Sequence, residues 1–185
     1  MSFATLPNYL EILRQPGLLY WNPTNLAAEA TWGDLLGFCA GGIEFDPGYK
    51  FAILKGMETG EEPIMKPYLG CEAVLKATLR NYNADALGVL FPGLNSALTV
   101  KYPNTILPGT DLFGATYAKA IMFVPEDQAN NIIFLLQKAS PNIVAAIRAS
   151  RVKDTVFPAI FHGARKSSDA DGFYYIGNIS GATLR

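Results

Sequence analysis

Residues 36–92 constrain the chain most, because short β-type runs follow one another there through Gly and Pro turns and finish in one short helical candidate. Cys71, Ala73, Leu75, Ala77 and Leu79 fall on one side of an extended chain, and Glu72, Lys76, Thr78, Arg80 and Tyr82 fall mostly on the other. That is the period of a strand with one dry face. The segment also satisfies a helical template, since Glu72, Lys76 and Arg80 are spaced by four. We read it as strand because Asn83 is placed to cap a separate short helix over 84–91, with Asp85 in its first turn and Pro92-Gly93 to stop it. One continuous helix would not carry a cap in its middle. Upstream, residues 41–48 and 49–55 alternate polar with apolar side chains. Asp46-Pro47-Gly48 between them supplies a preset φ, a local side-chain acceptor and a site open to positive φ, so the spacing predicts a hairpin turning at 46–48.

The rest of the chain continues this pattern. Asn8 with Glu11 three residues later makes a capping-box-like start for a short N-terminal helix over 8–14, ended by Pro16-Gly17. Strands are expected at 17–21, 117–124, 131–137, 155–165 and 173–176, with loops at 22–33 and 102–111. The run 131–137 is apolar on both faces, as for a strand covered on each side. Residues 143–148 fit helix and strand equally well by period.

A chain of 185 residues is a normal size for one domain and can bury a core without staples. We therefore take residues 1–185 as a single domain with an extended loop at 56–67. Charged residues are only 17% of the chain against about 25% in an average soluble protein, while half of it is hydrophobic. Such a protomer has too little charge to cover an isolated surface, which favours permanent self-contacts, whose interfaces are more apolar than ordinary surface. A net charge of −1 argues against a tight grip on nucleic acid, which needs an excess of Lys and Arg. The N-terminus has no basic region followed by an apolar core, and the longest uncharged stretch, 86–100, is broken by Gly and Pro, so neither a signal peptide nor a membrane span is expected.

Little in the sequence speaks for catalysis. His162 is the single histidine, so a two-histidine metal site within one protomer is excluded, and a packed or interface role is expected for it. Cys39 and Cys71 lie in no metal-binding spacing and are expected to be free thiols, although a disulfide between them remains open. Gly177-Asn178-Ile179-Ser180-Gly181 has its serine in the wrong place for a nucleophile elbow, and Asn178-Ile179-Ser180 spells a glycosylation acceptor that is meaningful only on an exported chain. No dinucleotide, phosphate-loop or calcium-loop motif occurs, so we assign no catalytic residue, no cofactor and no metal.

The order of several pieces resembles the tail-tube proteins of tailed bacteriophages. The pieces are Gly17-Leu18-Leu19-Tyr20-Trp21-Asn22-Pro23-Thr24, Gly33-Asp34-Leu35-Leu36-Gly37, Glu58-Thr59-Gly60-Glu61-Glu62-Pro63-Ile64 and Leu75-Lys76-Ala77-Thr78-Leu79-Arg80-Asn81-Tyr82-Asn83. Phe134-Leu135-Leu136-Gln137-Lys138-Ala139-Ser140-Pro141 and Phe157-Pro158-Ala159-Ile160-Phe161 extend the resemblance over most of the chain. It implies an antiparallel β-barrel or sandwich of two sheets flanked by a short helix. It also implies a virion structural protein, assembled in the host cytoplasm, whose hexameric rings stack into a hollow tail tube. Partners would be copies of itself and other tail proteins (tape measure, baseplate, neck, and a sheath if the tail contracts), while DNA passes through the lumen without specific binding. A ring of the baseplate or neck shares these features, and a ligand-binding β-barrel is the alternative outside the structural class.

The loop at 56–67 is the candidate contact. Met57, Ile64 and Met65 are apolar anchors among Gly56, Gly60, Pro63 and Pro67, and Glu58, Glu61 and Glu62 would sit at the rim of a contact with a neighbouring subunit. The plain alternative is a solvated excursion.

Overall fold

The computed structural model describes residues 14–55, 63–80, 88–90, 109–114, 117–126, 132–142, 156–164, 173–182 and 184. Among the described residues eleven strands follow in chain order: β1 (Gly17–Trp21), β2 (Asp34–Asp46), β3 (Tyr49–Phe51), β4 (Leu54–Lys55), β5 (Pro63–Met65), β6 (Tyr68–Cys71), β7 (Val74–Arg80), β8 (Lys119–Pro125), β9 (Ile132–Asn142), β10 (Phe157–Gly163) and β11 (Tyr174–Asn178). Six of them close into an antiparallel barrel in the order β10-β7-β2-β1-β8-β9, with β9 pairing back onto β10. The mainly-β expectation therefore holds, in its barrel form.

Period-2 alternation builds the barrel core. Leu75, Ala77 and Leu79 of β7 point inward with Ile121 and Phe123 of β8, Phe134 and Leu136 of β9, and Phe157, Ala159 and Phe161 of β10. Lys76, Thr78 and Arg80 alternate with them on the exposed side, which bears out the strand reading of this segment. Leu19 and Trp21 of β1 complete the interior, and at Gly17 the backbone passes so close to the Phe123 ring that a Cβ would overlap it.

On β1, β8 and β9 the other set of side chains is buried too. Tyr20, Met122, Val124, Ile133 and Leu135 are covered by Leu26 and Trp32, which come from the irregular segment between β1 and β2. Trp32 packs edge-on against Tyr20 at 5.4 Å and donates its indole N–H to the Leu26 carbonyl at 3.1 Å. This is the double cover that the two-faced apolar run 131–137 predicts.

β2 reaches Asp46 through a bulge. Cys39 pairs with Leu79 and Ile43 with Ala77, so four residues of β2 face two of β7. Two extra residues preserve parity, which keeps Ile43 in the core with Cys39. Gly42, at φ 74, supplies the backbone conformation that the detour requires.

β11 resumes the line of β10. Both pair with the edge of β9 opposite β8: Ile160 and Gly163 with Asn142 and Ala139, then Tyr174 and Asn178 with Leu136 and Ile132. Of the helix expected at 84–91, residues 88–90 are helical, with Leu90 buried in the core, and the remainder lies outside the described residues. The expected N-terminal helix lies outside them as well, save for a turn at Arg14.

Candidate functional site: an apolar hairpin arm

The turn expected at Asp46-Pro47-Gly48 is not a reversal. β2 pairs with β7, from Phe38 with Arg80 to Asp46 with Val74, and the chain continues outward so that Tyr49 pairs with Cys71, Lys50 with Gly70 and Phe51 with Tyr68. Leu54 then pairs with Met65. A single long hairpin thus runs from β2 to β7, and its outer part, β3 to β6, forms an arm beyond the barrel. Long-range pairing wins over the local turn signal because folding back at 46–48 would strip β7, with its fully dry face, of its β2 ladder. Asp46-Pro47-Gly48 makes a kink instead: Gly48 sits at φ 54, its N–H donates to Asp46 Oδ1 at 2.8 Å, and a Cβ there would overlap the Glu72 carbonyl.

Seven residues of extended chain, 49–55, five of them in β3 and β4, carry the arm roughly 20 Å from its root. Its side chains break the pattern of the barrel. Ile53, Leu54, Met65, Tyr68 and Leu69 are 52–66% exposed, and Tyr49 and Phe51 nearly half. Tyr49, Phe51 and Tyr68 pack on one another with centroids 5.8–6.4 Å apart, and Lys66 Nζ lies 4.4 Å over the Phe51 ring. Exposed ion pairs flank the root: Lys50 with Glu72 at 2.5 Å and, on the barrel wall, Lys76 with Glu44 at 2.6 Å. The hydrogen bond and charge of Lys50 hold the Glu72 carboxyl below its ordinary range, and those of Glu44 hold Lys76 above its own. Solvent screening leaves such pairs little weight in stability.

The root is tied to the barrel by aromatic contacts. The Tyr49 and Tyr174 hydroxyls share a hydrogen bond at 2.6 Å, and the Tyr174 ring packs on Phe45 at 4.7 Å and stacks on the buried Phe134. Beside the root, Cys71, Glu72, Leu112, Phe113, Pro141 and His162 line a surface hollow of about 480 Å³.

Of the residues expected to make the inter-subunit contact, Met65 ends β5 and is exposed, and Ile64 lies within β5, so this part of the loop is paired strand. Met57, Glu58, Glu61 and Glu62 lie outside the described residues. Sequence reasoning missed Tyr49, Phe51, Ile53, Leu54, Tyr68 and Leu69 because it folded the first four back onto residues 41–46. A signal was there: residues 51–54 are apolar at successive positions, as no one-sided barrel strand would be.

The remaining polar candidates have structural surroundings. Asn178 Oδ1 accepts from the backbone N–H of Ser180 at 2.9 Å and from its hydroxyl at 2.8 Å, so Ser180 belongs to a capped 3₁₀ turn. Cys39 is a free thiol buried in the core and pushed up to about 12 by that burial, and Cys71 is a half-buried free thiol. Among the described residues no three His, Cys, Asp or Glu side chains gather as a metal site would need. No protein-family model matches the chain, and no curated protein matches it.

Proposed function

We propose that this chain is a self-assembling structural subunit of the tail-tube type, whose barrels join side by side into hexameric rings and whose arms join ring to ring. The observation that carries the reading is the arm: seven large apolar side chains held away from the core on a paired ribbon. A monomer gains nothing from this exposure, and patches of this kind mark contact surfaces. The occupant we assign is a second copy of the chain, because the low charge fraction leaves the protomer short of surface suited to solvent. Among the described residues, Phe123, Phe134 and Phe161 with their neighbours fill the barrel interior, which weighs against a ligand-binding barrel. In this reading DNA meets the bore of the assembled tube, near-neutral and without a gripping site, and the chain needs no catalytic residue and no cofactor.

The test is assembly of purified protein, followed by negative-stain imaging and sedimentation. The parent should form rings or tubes on concentration. Replacing the cross-strand pair as Leu54→Asp with Met65→Asp should raise the concentration needed by more than about tenfold, a loss of about 1.4 kcal/mol per contact, while the thermal midpoint of the protomer stays put. A parent that remains monomeric at high concentration, or a double variant that assembles as well as the parent, overturns the reading. Rings that form without stacking would point to the baseplate or neck type.

A further inference from the structure

We propose that the root of the arm is a joint, and that the Tyr49–Tyr174 hydroxyl pair is the latch that holds the arm at one angle to the barrel. The proposal rests on the assembly reading for its purpose alone; the joint and latch stand on the geometry of the protomer.

Both strands of the long hairpin lose their ladder at the same level. β2 ends at Asp46 and β3 begins at Tyr49, while β6 ends at Cys71 and β7 begins at Val74. Pro47 has no N–H to offer. Among the described residues, the backbone bond that crosses the interruption is Glu72 N–H to the Gly48 carbonyl, at 3.2 Å. A two-stranded ribbon is marginal by itself, and one joined to its barrel through so sparse a ladder resists bending weakly. The kink at Gly48 sets a rest geometry for one strand but supplies no cross-link to the barrel.

Gly163 N–H of β10 donates to the Ala73 carbonyl at 2.9 Å on the barrel side of the interruption; the cross-link that reaches the arm itself comes from side chains 125 residues apart in sequence. Tyr174 is a fixed post: β11 holds its backbone against Leu136, and its ring packs on Phe45 and stacks on Phe134, which is fully buried. Its hydroxyl is presented to Tyr49, the first residue of the arm. Burial and the Tyr49 hydrogen bond push Tyr174 up to about 12, so the Tyr174 hydroxyl keeps its proton at neutral pH and the hydrogen bond can form through it. The Lys50–Glu72 pair at the same level is exposed on both sides and does not replace this constraint. The leverage is large, since a swing of about 15° at the root moves the end of a 20 Å arm by roughly 5 Å. A preset angle removes part of the ordering cost of docking onto a neighbour.

The test is amide hydrogen exchange on the full chain, held below its assembly concentration, for the parent, Tyr49→Phe, Tyr174→Phe and the double variant. Phenylalanine keeps the ring packing and removes only the latch. Each single variant should speed exchange at Ala52 and Glu72, whose N–H groups bond across the arm, by about fivefold, with β1 and β8 unchanged. Because one bond is lost in each case, the double variant should be no faster than either single variant. Unchanged exchange at the root in both single variants, or single effects that multiply in the double variant, overturns the latch. The readout needs no assembly, so a protomer that fails to polymerise defeats the assembly reading and leaves this result to stand or fall separately.

Discussion

One hairpin, β2 through β7, obeys two different rules along its length. Within the barrel its inward residues, Leu75, Ala77, Leu79 and Cys39, are 0–5% exposed and alternate with Glu44, Lys76 and Thr78 on the outside. Beyond Gly48 the same two strands keep pairing, but Ile53, Leu54, Met65 and Leu69 are more than half exposed. Backbone pairing alone therefore does not distinguish the regions. What differs is whether a second layer covers the side chains, and the barrel supplies that layer from its own opposite wall. The arm has no such wall in its own chain among the described residues, so its apolar side chains act in stability only once something else covers them.

The largest effect should separate core from arm directly. Phe134→Ala, at the centre of the barrel, should cost about 3–5 kcal/mol in urea unfolding of the protomer, whereas Leu54→Ala should stay within about 0.5 kcal/mol. Equal costs would break the comparison, because the arm would then have to be part of the cooperative core.

A smaller effect is expected at the border. Gly48→Ala forces an L-residue into positive φ at about 1–2 kcal/mol and drives a Cβ into the Glu72 carbonyl. The joint should yield first, giving faster exchange throughout β3 and β6 with little movement of the barrel's urea midpoint. If the midpoint falls with it, arm and barrel unfold as one unit.

The two cysteines sharpen the comparison chemically. At pH 8 a thiol reagent should label Cys71 readily in the native protomer and Cys39 only through unfolding, since burial pushes the Cys39 thiol from 9.0 to about 12. The sign for stability follows from the same shift. The folded state holds the proton more tightly than the unfolded chain, so this contribution is complete below pH 9 and is lost as pH rises through the folded value near 12. A Cys39→Ala variant should lose that part of the alkaline decline in a pH series of urea melts.

Most strands were legible because their side chains carry the period of their burial. Leu75, Ala77 and Leu79 announce a one-sided strand and are so placed, and the two-sided strand announced by 131–137 is seen over Ile133, Phe134, Leu135 and Leu136. The arm was half legible. The Gly- and acid-rich residues 56–62 lie outside the described residues, and Met65, expected as an apolar anchor, stands exposed. Its aromatic root was missed because Asp46-Pro47-Gly48 is a strong local turn signal, and local signals cannot say which distant strand competes for the same edge.

The β character, the dry face of β7 and the two-sided burial of β9 could be read from the sequence, since these depend on side-chain period, a property of neighbouring residues; the bend at Asp46-Pro47-Gly48 could be placed but not its sense, which the sequence presents as a reversal. Only the tertiary structure decided that β2 pairs with β7 rather than with the segment after the kink, that β9 closes onto β10, and that Tyr174 meets Tyr49. These are choices among partners far apart in the chain, and they are settled by which arrangement buries the most apolar surface at once, a quantity that no local stretch contains.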